Sequence, residues 1–92
     1  MIVRIATENQ YRLPDDVAER LNELDNEAVS AVENGDEAGF HRLFEEMLRT
    51  VREQGHLLGD DELEGSDVII PPPDTTFVEA AAEFTGEGLI PD

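Results

Sequence analysis

Three features of this 92-residue chain predict an α+β fold. The chain opens on a β-branched run, carries two long stretches of helical apolar periodicity, and joins those stretches by a very short turn. The predicted architecture is an N-terminal β-hairpin, an antiparallel αα-hairpin, a short third strand and a C-terminal helix, all in one domain. A chain of this length buries only roughly 60–65% of its unfolded surface. Stability is expected to be modest, and a partner or a homodimer that covers further apolar surface would add to it.

Met1–Ile5 (MIVRI) suits a strand. The polar connection Ala6–Gln10 turns the chain, with Asn9 able to take unusual backbone angles, and Tyr11–Leu13 returns as a second strand. A lone hairpin is marginal in water, so these strands must lie on the helices.

Pro14 opens the first helix, with Asp15, Asp16 and Glu19 set against the positive end of its dipole. Val17, Leu21, Leu24, Ala28 and Val32 fall on one face, and Asp16 with Arg20 is spaced for an i,i+4 pair. Asn34-Gly35 is a strong stop because either residue tolerates a left-handed cap, and Asp36 caps the next helix at once. So short a turn forces the two helices to run antiparallel.

The second helix, Asp36–Gln54, is the predicted core. Phe40, Leu43, Phe44, Met47, Leu48 and Val51 form a wide apolar stripe, and no other stretch offers as much surface to bury. Ala28 and Ala31 leave room for Phe40 or Phe44. The helix stops at Gly55, and His56 is read as contacting its last carbonyls.

His56–Asp67 reads as a loop pinned by Leu57, Leu58 and Leu63. Val68–Ile70 is a brief strand ended by Pro71-Pro72-Pro73, which places it at a sheet edge or stops it there. Asp74 is expected to cap a third helix, Thr75–Phe84, with Phe77, Ala81 and Phe84 on one face. Leu89-Ile90 either closes over the core or serves as a docking tail.

Composition narrows the chemistry. The net charge is −17, from 23 acids against 6 bases, every base is arginine, and residues 55–92 hold ten acids and no base. Such a field repels nucleic-acid phosphates and anionic lipid headgroups and favours a basic protein partner. Acidity that merely keeps a small domain soluble accounts for most of the charge as well. The absence of cysteine excludes disulfides, thiolate catalysis and cysteine zinc sites. No apolar run reaches the roughly 20 residues a bilayer span needs, so the expected location is cytoplasmic.

Few residues suggest a site. Glu37, His41 and Glu45 recur at steps of four, a spacing that suits a divalent metal, although a solvated row of ion pairs is the stronger reading without a second histidine. The acid run Asp60-Asp61-Glu62 with Glu64 lacks the alternating ligands of a calcium loop and is read instead as the candidate contact for a basic partner. No serine–histidine–acid arrangement and no glycine-rich phosphate loop is present. Pro71–Pro73 is read as a rigid link in preference to a polyproline ligand. The expectation is a non-enzymatic domain without a cofactor.

Taken together, MIVRI, Gln10-Tyr11, Leu21-Asn22-Glu23-Leu24-Asp25, Asn34-Gly35-Asp36-Glu37 with Phe40, and Val51-Arg52-Glu53-Gln54-Gly55 resemble the PspA-associated family, PspAA. So do Asp60-Asp61-Glu62-Leu63, Ser66-Asp67, Pro71-Pro72-Pro73-Asp74 and the closing Gly88-Leu89-Ile90-Pro91-Asp92, and the resemblance spans the full length. Thr7-Glu8-Asn9 departs from a more usual glycine-bearing turn, and Gly59 stands where proline is more usual.

The resemblance implies an accessory domain of the phage-shock envelope-stress system, without enzymatic activity. Its partner would be a PspA-type coiled coil of the ESCRT-III kind that assembles on the inner membrane face. The domain would then reach the membrane only through that partner. Two other readings compete: an acidic inhibitor or nucleic-acid mimic that fills a basic groove, and a divalent-metal or small-ligand sensor built on His41 and its neighbouring acids.

Overall fold

The computed structural model describes residues 1–59, 65–86 and 88–90. The elements run β1 (Ile2–Ile5), β2 (Gln10–Arg12), α1 (Asp15–Glu33), α2 (Glu37–Gln54), β3 (His56–Leu57), β4 (Val68–Ile70) and α3 (Phe77–Glu83). The expected α+β class holds, with the two hairpins, the short strand after the helices and the C-terminal helix all present.

The strands form one sheet in the order β3-β2-β1-β4. β1 pairs antiparallel with β2 and parallel with β4, and β2 pairs antiparallel with β3. Strand alternation divides the sheet into two faces. Val3, Ile5, Tyr11, Leu13, Val68 and Ile70 join the core shared with the helices. Arg4, in register with Gln10 on one side and Ile69 on the other, belongs to the opposite face.

The helical hairpin forms as its periodicity requires. Asn34 ends α1 in a right-handed conformation and Gly35 takes φ +68°, so the glycine, and not the asparagine, supplies the left-handed residue. The Asp36 N–H donates to Ala31 O at 2.8 Å and the Gly35 N–H to Val32 O at 3.1 Å, the paired bonds of a Schellman turn. The Asp36 carboxylate accepts from the Gly39 N–H at 3.0 Å and so caps α2. Leu21, Leu24 and Ala28 from α1 meet Phe40, Phe44, Met47 and Val51 from α2 in one buried cluster. Each large side chain there contributes roughly 1.5–3 kcal/mol by leaving water.

Several local expectations need correction. The β-hairpin turns through Thr7 at φ 67°, not through Asn9. A threonine therefore holds a left-handed position, at the turn where the resemblance led to a glycine. His56 is not a cap on α2: it lies in β3, opposite Arg12, a strand too short to leave a periodic signature. Leu57 is 53% exposed and pins nothing, whereas Leu58 is buried; Leu63 lies outside the described residues. Arg20 reaches Glu23 and Glu46, each at 3.3 Å, instead of Asp16. The third helix begins at Phe77 because Thr76, not Asp74, caps it. The Thr76 hydroxyl accepts from the Glu79 N–H while the Glu79 carboxylate accepts from the Thr76 N–H.

Candidate partner-binding surface

The strongest polar feature is internal. Asp25 on α1 is fully buried, and its carboxylate accepts the Leu89 N–H at 3.0 and 3.1 Å and the Ile90 N–H at 2.9 Å. Gly88 makes this possible: it takes φ +78°, and a Cβ there would lie 2.7 Å from the Asp25 oxygens. Ile90 is buried beside the core, so Leu89-Ile90 closes over it. Periodicity draws attention to the apolar neighbours of Asp25 and passes over the acid itself. The signal that marks it is an acid inside the i+4 row Val17–Leu21–Asp25–Val29.

Two further polar clamps hold Ser66 and Asp67, just before β4. The Asp67 carboxylate accepts the Ile2 N–H at 2.8 Å, and the Gln10 amide donates to the Ser66 hydroxyl at 2.8 Å. On the α2 side, Arg52 forms a two-pronged ion pair with Glu8 and fixes the β-hairpin tip to the end of the helix.

The predicted metal candidates sit on the exposed flank of α2. His41 Nε2 lies 4.0 Å from Glu37 Oε1, a loose i,i+4 contact. Glu45 follows one turn later on the same exposed side. Among the described residues, no three histidine or carboxylate side chains converge as metal ligands would. The predicted contact residues Asp60, Asp61, Glu62 and Glu64 lie outside the described residues.

A shallow cleft of about 330 Å³ opens near the turn between α1 and α2, with Glu27, Ser30, Asn34, Asp36 and Arg42 at its walls. Both signs of charge stand there in open water, so nothing at this place selects one kind of ligand.

The α2–α3 face is different in kind. The Phe40 ring stacks on Phe44 at 5.6 Å between centroids and receives the edges of Phe84 at 5.1 Å and Phe77 at 5.8 Å. His41 also lies edge-on to Phe40 at 5.6 Å. Phe77 and His41, both partly covered, therefore each meet the buried Phe40 ring, which ties α3 to α2. Immediately after Phe77, Val78 is 81% exposed, the most exposed large apolar side chain among the described residues. The Thr76 hydroxyl bonded to Glu79 holds that carboxyl below its ordinary value, so it stays ionised further into acid.

The outward face of α1 carries exposed Asp15, Asp16, Glu19, Glu23, Glu27 and Glu33, and its one arginine is engaged by two glutamates. No helix among the described residues is long and apolar enough to cross a membrane.

These features define a small acidic α+β domain whose buried polar groups serve the fold and whose distinctive surface is carboxylate interrupted by a few apolar side chains. Residues 1–92, the whole chain, match the family model described as PspA-Associated protein, PspAA, and the chain belongs to that family. No curated protein and no solved structure matches it.

Proposed function

We propose that this protein is a non-enzymatic interaction module that binds a PspA-type coiled-coil protein and acts with it in the envelope stress response. The observation that carries the reading is the family match along the entire chain, under a name that states association with PspA. The charge of the domain supports it. A surface with a net charge of −17 attracts a basic helical partner, steers its encounter, and repels the anionic membrane face on which such a partner would sit. The domain would then remain in the cytoplasm and approach the inner membrane only through its partner. Asp60, Asp61, Glu62 and Glu64 are proposed to contribute to the contact.

The test is co-elution of the purified domain with a PspA-type protein on size exclusion. A complex is expected at low salt, with weakening as the Debye length shortens from about 30 Å at 0.01 M salt to about 8 Å at 0.15 M. No complex at low salt would reject the reading, as would turnover of a substrate by the domain alone.

A further inference from the structure

Val78 is the feature that folding does not explain. α3 is short, yet a reciprocal cap fixes its start and Phe77 ties it to the Phe40 ring. A helix held so firmly could bury its apolar residues, but Val78 stands 81% exposed. Ala82 lies one turn after it and is exposed as well, while Phe77 and Ala81, on the adjoining side of the helix, are half-covered. The result is an apolar shelf four side chains wide on the outside of α3.

Exposed carboxylates stand on both helices that the Phe40–Phe77 contact joins. Glu79 and Glu83 follow along the far side of α3, both exposed. Glu37 and Glu45 stand on the α2 flank, with His41 between them. No lysine or arginine occurs anywhere in the sequence after Arg52.

We infer that the α2–α3 shelf is a docking face for one basic amphipathic helix, whose apolar side chains settle on Phe77, Val78, Ala81 and Ala82 while lysines or arginines reach Glu79 and Glu83 on one side and Glu37 and Glu45 on the other. This rests on the reading that the partner is a helical coiled-coil protein, and it names the face that partner would use. Charge selects the occupant. A second copy of the chain would bring another −17 to an already acidic border, whereas a basic helix gains on both edges.

The experiment has two arms. In the first, a synthetic helix with leucine at its apolar positions and lysine elsewhere is titrated into the ¹⁵N-labelled domain. The expected amide shifts centre on Phe77–Glu83 and Glu37–Glu45; shifts centred on α1 or on the outer face of the sheet would overturn the assignment. The second arm measures affinity for a PspA-type protein. Val78→Ser should weaken binding about tenfold, and Glu79→Gln with Glu83→Gln should lower both affinity and its salt dependence. Glu19→Gln with Glu23→Gln, a matched loss of charge on α1, should change affinity much less. All these positions are exposed, so the variants are expected to fold, as circular dichroism would check. If the unaltered domain binds the PspA-type protein and Val78→Ser binds equally well, the shelf is wrong and the proposed function survives. If the unaltered domain does not bind that protein at all, the proposed function fails, and the shelf stands or falls on the first arm.

Discussion

The helical hairpin and the segment after it are held by different forces. Residues 15–54 fold through nearby signals: periodic apolar faces, a glycine turn, an aspartate cap, and packing between two helices adjacent in the chain. The described residues between 65 and 90 form one short helix and a three-residue strand, and distant single-residue clamps fasten them. Asp67 reaches Ile2, Ser66 reaches Gln10, and Asp25 reaches Leu89 and Ile90. The contrast shows that a small chain can order a weakly structured segment with a few long-range bonds, one set of them to a buried acceptor on the strong half.

The largest effect should come from the strong half. Phe40→Ala removes the ring that touches four other aromatic side chains and should destabilise the protein by about 3–5 kcal/mol. Urea unfolding measures this, and loss of both halves in one transition is expected because Phe40 is shared between α2 and α3.

Asp25→Ala should separate the two halves. It strips the acceptor from the Leu89 and Ile90 amides, at a cost of about 1.5–3 kcal/mol. Hydrogen exchange should become fast at residues 88–90 while α1 and α2 stay protected; equal loss of protection throughout would show that the clamp belongs to the core itself.

A smaller change is expected for Asp67→Ala, about 1 kcal/mol, from the lost bond to Ile2. Exchange at Ile2 would report it, with the helical hairpin unaffected.

The smallest effect follows pH. The Glu79 carboxyl is held below its ordinary value of 4.5 by the Thr76 hydroxyl and the Thr76 N–H. Its stabilisation is thus complete above that ordinary value and is lost as pH falls through the lowered one. Thr76 and Glu79 amide shifts followed into acid should show α3 loosening at its start, and Thr76→Ala should abolish the transition.

How much of this was legible in the sequence follows the same division. The two helices, their antiparallel turn and the cap at Asp36 could be read because each signal lies within four residues of what it controls. β3 was not legible, since two residues carry no alternation and become a strand only beside β2. The start of α3 was misplaced because Asp74 and Thr76 are both competent caps, and only the return bond from Glu79 distinguishes them. Apolar periodicity does not single out Asp25 among 23 acids as a buried group. The Asp25 carboxylate is met by the Leu89 amide 64 residues away, which no local pattern reveals. Spacing marks the Glu37–His41–Glu45 row on α2, but it does not encode the contact of the adjoining Phe40 with α3.

The parallel pairing of β1 with β4 also has a kinetic consequence. The first strand gains its second neighbour only from a partner 65 residues later, so its sheet stays incomplete until β4 has left the ribosome. The helical hairpin, with its near-neighbour contacts, can assemble earlier and offer a template. Truncation before Val68 should therefore leave a collapsed helical pair with an unfinished sheet edge, a form prone to stick to other nascent chains.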